Sequence, residues 1–104
     1  DRIQKFTSAG VFVSKWGTEG TDDGEFKNPK GIAVASDGSV YVAEVGNDRI
    51  QMFTSAGVFV TKWGTQGTDD GEFRNPRGIA VASDGSVYVA DTKKHRIQKF
   101  SVGP

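Results

Sequence analysis

The stretch GIAVASDGSVYVAEVGNDRIQMFTSAGVFVTKW, residues 31–63, decides the fold. Short apolar runs alternate in it with turn residues about every ten positions, the pattern of an all-β chain. Gly31-Ile32-Ala33-Val34-Ala35 reads as a buried strand of small and branched residues. Asp37-Gly38 follows, a hairpin signal because glycine reaches positive φ without steric cost. Val40–Glu44 is then a second strand, Gly46-Asn47-Asp48 a turn, and Arg49–Phe53 a third strand. Thr54-Ser55-Ala56-Gly57 makes a tight connection to the fourth, Val58–Trp63.

Outward from this stretch the chain repeats itself. Asp48–Phe53 has counterparts in Asp1–Phe6 and His95–Phe100, each 47 residues away. Residues 1–47 and 48–94 align without a gap, and 38 of the 47 positions are identical. The 104 residues therefore form a single repeat domain of two full units and the start of a third, residues 95–104. Identity this close arises by recent duplication or by deliberate, engineered repetition of one unit, and the second origin is favoured. Four antiparallel strands per 40–50 residues, repeated, is the pattern of a propeller blade. A two-sheet sandwich of about nine strands would explain the hairpins. It would not explain the constant 47-residue translation.

Asn28-Pro29-Lys30-Gly31-Ile32-Ala33-Val34, Asp37–Glu44 and Arg49–Phe53 together resemble the NHL repeat, and the match recurs between Asn75 and Phe100. The resemblance runs through essentially the whole chain, and the combined motif is specific. It implies four-stranded blades of a β-propeller, most often six-bladed. It also implies that Arg49 and Arg96 pair with Glu44 and Asp91 inside the blade. Two positions depart from the family pattern. Ala35 and Ala82 stand where an acidic residue is usual, and Lys93-Lys94 replaces the Gly46-Asn47 turn.

With strands labelled A to D outward from the propeller axis, the chain reads C-D, A-B-C-D, A-B-C. Closed propellers take about four to eight blades, so two apolar blade faces are left open. About 600 Å² of apolar area buried per face would contribute about 15 kcal/mol at about 25 cal/mol/Å². That matches or exceeds the cost of association, about 4–15 kcal/mol. Ring closure adds a last contact at high effective concentration and leaves no face uncovered. The expectation is a homo-oligomer. Three chains would give six blades, the favoured number, whereas two would give four and four would give eight. The N-terminal C-D hairpin of one chain should complete the unfinished A-B blade of a neighbour. Arg2–Phe6 and Arg96–Phe100 then compete for one slot, and the loser is displaced, frayed or left as an extra edge strand.

The recurring aromatic residues Phe6, Phe12, Trp16, Phe26, Phe53, Phe59, Trp63, Phe73 and Phe100 are assigned to packing and assembly. Phe26 and Phe73 should plug the gaps between adjacent blades. Phe12 with Trp16, and Phe59 with Trp63, lie on one face of strand D. Blade packing is preferred there to a base-stacking platform.

Composition narrows the function. Lys plus Arg and Asp plus Glu are 13 each, so the net charge is zero and bulk attraction to a polyanion is not expected. There is no Cys, hence no disulfide framework and no thiolate metal site. Apolar runs of four residues at most predict no membrane span, and no signal-like segment opens the chain. No nucleophile elbow, Ser-His-Asp set or phosphate-binding glycine loop is found, so neither an enzyme nor a cofactor is expected. The carboxylates of Asp22-Asp23-Gly24-Glu25 and Asp69-Asp70-Gly71-Glu72 could hold calcium, but their spacing fits structural turns better. His95 is the only histidine. In a propeller the D-to-A and B-to-C connections share one end. That end would carry Lys27, Lys30, Arg74, Arg77, Lys93, Lys94 and His95, a possible face for RNA or a peptide as the alternative function.

Overall fold

A computed structural model describes residues 1–101. Nine strands run β1 (Ile3–Phe6), β2 (Phe12–Trp16), β3 (Pro29–Val34), β4 (Val40–Glu44), β5 (Arg49–Phe53), β6 (Phe59–Trp63), β7 (Pro76–Val81), β8 (Val87–Asp91) and β9 (Arg96–Phe100). They form three antiparallel sheets, ordered β1-β2, β3-β4-β5-β6 and β7-β8-β9. The chain is thus one complete four-stranded blade flanked by the outer half of one and the inner three strands of another. A short 3-10 turn, Thr92–Lys94, joins β8 to β9. Among the described residues, no helix is long and apolar enough to cross a membrane.

Local sequence explains each reversal. Between β3 and β4, the Ser39 N–H donates to Asp37 Oδ1 (2.8 Å) and Gly38 takes φ 92°. Asp84 and Ser86 repeat the arrangement between β7 and β8 (2.9 Å). Such Asx turns give the backbone a local acceptor where the ladder stops. Between β5 and β6, Gly57 takes φ 87° and its N–H donates to the Thr54 carbonyl (2.9 Å). Residues opposite each other in the ladder share a face. Ile32 is opposite Val42, and Ala43 opposite Ile50.

Two apolar clusters fill the gaps between sheets. Phe26, Val40, Val42 and Phe53 pack with Ile3, Trp16 and Phe59 between the first sheet and the second. Tyr41, Ala43, Ile50, Phe73, Val87 and Val89 pack between the second and the third. The innermost strands β3 and β7 approach so closely that a Cβ at Gly31 would collide with the Arg77 carbonyl oxygen. β3 departs from the reading of a buried strand: Ile32 and Val34 are 51% and 63% exposed. Their face looks toward the first sheet, which has no inner strands to cover them.

Candidate functional site

The repeat lets each surface be compared with its own copy 47 residues away. Ile79 and Val81, equivalent to Ile32 and Val34, are half-buried and pack on the cluster between β3–β6 and β7–β9. On the opposite face, Tyr41 is 4% exposed and Ile50 is 0% exposed, whereas Tyr88 and Ile97 are 37% and 66% exposed. The two open faces are therefore two halves of one contact that the chain already makes internally. An apolar cleft lined by Ile3, Trp16, Ile32, Val34 and Val40 lies where inner strands of the first sheet would sit. Nothing in the sequence marks Ile32, Val34, Tyr88 and Ile97 apart from their buried copies. Alternation along each strand would have marked them as face residues, but only the count of missing strands shows which copies stay uncovered.

Most of the recurring aromatics pack within the chain. Phe53 lies 5.6 Å from Phe26, 5.7 Å from Trp16 and 6.1 Å from Phe59, centroid to centroid. Phe100 repeats this against Phe73 (5.7 Å) and Trp63 (5.4 Å). Tilted and edge-on contacts of this kind add to the area they bury. Phe26 and Phe73 are fully buried between sheets. Phe6 and Phe12 meet edge-on at 6.0 Å but stay exposed, because the loop phenylalanine and the tryptophan of a preceding blade are missing. The indole N–H groups of Trp16 and Trp63 are buried without an acceptor. A Cβ at Gly57 would collide with the Trp16 indole, so the hairpin tip and the ring are fitted to each other.

A polar network ties each long loop to its blade. Arg49 Nε donates to buried Glu44 Oε2 (2.7 Å), and its Nη atoms donate to the carbonyls of Thr21 (2.7 Å), Asp22 (3.2 Å) and Glu25 (2.8 Å). Gln51 Nε2 donates to Glu44 Oε2 (2.8 Å) and to the Glu25 carbonyl (2.7 Å). Asn47 Nδ2 donates to Glu44 Oε1 (2.7 Å) and to the Gly20 carbonyl (3.1 Å). Arg96 and Asp91 form the same pair at 3.1 Å in the third sheet. The acidic loops serve this network: Glu25 Oε1 accepts the Asp22 N–H and Glu72 Oε1 the Asp69 N–H, both at 3.1 Å. Among the described residues, no group of three His, Cys, Asp or Glu could hold a metal ion.

These bonds, with Gly46 N–H to the Lys27 carbonyl (3.0 Å) and Lys93 N–H to the Arg74 carbonyl (3.2 Å), bring the 17–28 and 64–75 loops beside the 45–48 and 92–95 turns. Lys27, Lys30, Arg74, Arg77, Lys93 and His95 are exposed, and Lys94 is half-buried. Their charge is interleaved with exposed Asp22, Asp23, Asp69 and Asp70. Lys62 of β6 pairs with Asp23. His95 takes a left-handed φ of 54° as the last residue of the β8–β9 turn.

Three solved structures share this architecture. A streptogramin B lyase is 17% identical over 97% of this chain and 34% of its own, with a TM-score of 0.64. A selenomethionine-substituted virginiamycin B lyase from Staphylococcus aureus is 20% identical over 99% of this chain and 35% of its own (TM-score 0.60). A catalytically inactive H270A form of the Staphylococcus aureus virginiamycin B lyase, with quinupristin, is 18% identical over 97% of this chain and 34% of its own (TM-score 0.61). At such identity the likeness is one of fold, and the chain spans about a third of their length. No curated protein matches the sequence. The NHL repeat model matches residues 26–53 and 73–100, which cover more than half of the 104 residues and hold β3–β5 and β7–β9 of the second and third sheets. The chain belongs to the NHL-repeat family and is built of β-propeller blades.

Proposed function

We propose that this chain is a structural, self-assembling propeller segment, without catalysis of its own, in which three copies close a ring of six blades. One observation carries the reading. The contact that packs Tyr41 and Ile50 with Ile79 and Val81 is present once inside the chain, and the copies of these residues are uncovered at the two ends, Tyr88 and Ile97 at one and Ile32 and Val34 at the other. A second copy supplies the missing half to each. The family resemblance supports a ring of six blades, and so does the length of the structural neighbours, each about three times as long as this chain. The near-identity of the two units fits a repeat meant to be interchangeable.

Native mass spectrometry tests this. The expected species is three times the 11.1 kDa chain, with dimer and tetramer as the other closed arrangements. A monodisperse 11.1 kDa particle that unfolds cooperatively overturns the reading.

A second reading concerns the loop end. The Lys93 N–H to Arg74 carbonyl bond places two exposed cations together where the first unit has Lys27 beside Gly46. A ring would repeat that pair in every copy, a surface for single-stranded RNA or an acidic peptide. Filter binding at two salt concentrations discriminates. Real phosphate contacts give a steep salt slope, and salt-insensitive or absent retention removes this reading while leaving assembly intact.

A further inference from the structure

The chain holds three copies of the Arg-Ile-Gln-x-Phe strand, at β1, β5 and β9, but a ring has only two slots per copy. Resting on the assembly proposed above, we infer that β9 is a temporary plug, and that β1 of a neighbouring copy displaces it from the edge of β8. Residues Arg2–Phe6 and Arg96–Phe100 are identical, so the slot itself does not choose between them. What surrounds each copy does.

The turn that holds β9 is poorly made. Its bonds are long, with Thr92 N–H to the Asn75 carbonyl and His95 N–H to the Thr92 carbonyl both at 3.3 Å. His95 sits at positive φ (54°), as its copy Asp48 does (49°), so the backbone path is shared and the two turns differ in their bonds. Lys94 replaces Asn47 and forfeits the two bonds Asn47 makes to Glu44 and Gly20. His95 replaces Asp48, whose Oδ1 accepts the Asn75 N–H of the next blade (3.0 Å). The β1 copy carries Asp1 at that position, so it can offer the same acceptor to Asn28 of its own chain.

The turn that holds β1 to β2 is sound. Thr7 N–H donates to the Val11 carbonyl (2.8 Å), Gly10 N–H to the Thr7 carbonyl (2.9 Å), and Gly10 supplies the positive φ. Displacing β9 breaks the weak turn, keeps the sound one, and brings β2 in as the missing fourth strand. Displacing β1 would do the reverse and would also unseat Ile3 from its cluster with Val40, Val42 and Phe53. In the exchanged slot Phe6, now exposed, takes the place of Phe100 between Phe73 and Trp63, and Phe12 covers it as Phe59 covers Phe53.

The absence of Cys makes a crosslinking test direct. In the chain Ala90 faces Ile97, as Ala43 faces Ile50, so the exchanged strand would set Ala90 opposite Ile3 of the next copy. Two full-length variants are compared by oxidation and non-reducing gel, with native mass spectrometry of the same samples. In assembled particles A90C/I3C is expected to join chains covalently around the ring, with a disulfide yield at least tenfold that of A90C/I97C, whose disulfide would close within one chain. Assembled particles in which only A90C/I97C closes would overturn the displacement of β9 and leave self-assembly standing. Single chains throughout would overturn both. Matched Q98P and Q4P variants give a second measure: Q98P should assemble at least as tightly as the parent, and Q4P should lose the ring. The opposite pattern overturns the proposal.

Discussion

The strand pairs β4-β5 and β8-β9 differ only at Glu44/Asp91 and Met52/Lys99, yet one pair sits in a filled interior and the other at an open edge. Ile50 and Ile97 occupy the same register position, opposite Ala43 and Ala90. Only Ile50 has a following blade to cover it. Glu44 and Asp91 are both fully buried and both accept from an arginine, but Gln51 donates to Glu44 while Gln98 donates to the Glu72 carbonyl alone. The difference teaches that burial here belongs to the position in a stack of blades and not to the residue. A propeller blade cannot cover its own faces, so its copies are equal only when all have neighbours.

That comparison can be broken most forcefully at the carboxylate. Glu44→Ala leaves the buried Arg49 with backbone carbonyls alone and no counter-charge, and should cost about 3–5 kcal/mol, because an unpaired buried charge is left behind. In single chains, Asp91→Ala frees Arg96, which is part-exposed there and can turn to water, so its loss should be clearly smaller in the same denaturant titration. Equal losses would mean that the two networks are not different in kind. The isoleucines come next. Ile50→Ala opens a cavity and should cost about 2–5 kcal/mol, whereas Ile97→Ala should change stability by less than about 0.5 kcal/mol, as exposed positions do.

The hairpin glycines sharpen the comparison further. Gly10 and Gly57 have φ of 86° and 87°, but only Gly57 has the Trp16 ring against it. Gly10→Ala in single chains should cost about 1–2 kcal/mol for the left-handed backbone alone. Gly57→Ala should cost more, with a change in tryptophan emission that Gly10→Ala lacks.

The acidic turns should respond least, and nearly alike in both units. The Ser39 and Ser86 N–H groups hold the Asp37 and Asp84 carboxyls below their ordinary pKa of 3.8. A lowered folded pKa contributes stability above the unfolded value and loses it as pH falls through the folded one. The thermal midpoint should therefore drop on acidification below about pH 4, the region of the unfolded carboxyl. Asp37→Ala and Asp84→Ala should each flatten that drop by a similar small amount, with Lys99 adding slightly at Asp84. A large inequality would show that these turns feel more than their own residues.

Much of the blade is legible in the sequence because its signals are local. Asp37-Gly38 and Thr54–Gly57 mark turns through side-chain acceptors and positive φ, and the strands between them follow within a residue or two. The pairing of Arg49 with Glu44 follows from the family motif, since both lie on adjacent strands at facing positions. The bonds from Arg49 and Gln51 to the carbonyls of Thr21, Asp22 and Glu25 are not legible, because those acceptors are backbone atoms and carry no residue signature. The exposure of Ile32 and Val34 is equally silent. Their copies Ile79 and Val81 are the same residues in the same pattern.

The strands, the turns and the 47-residue period are written in the local sequence, because each rests on backbone preferences and on alternation that near neighbours in the chain settle. The tertiary structure alone decided which apolar faces are covered, how firmly each copy of the third strand is held, and where the polar loops anchor. Those depend on what lies across a gap between sheets, and in a chain that repeats itself the same residues meet a different partner at each turn of the repeat.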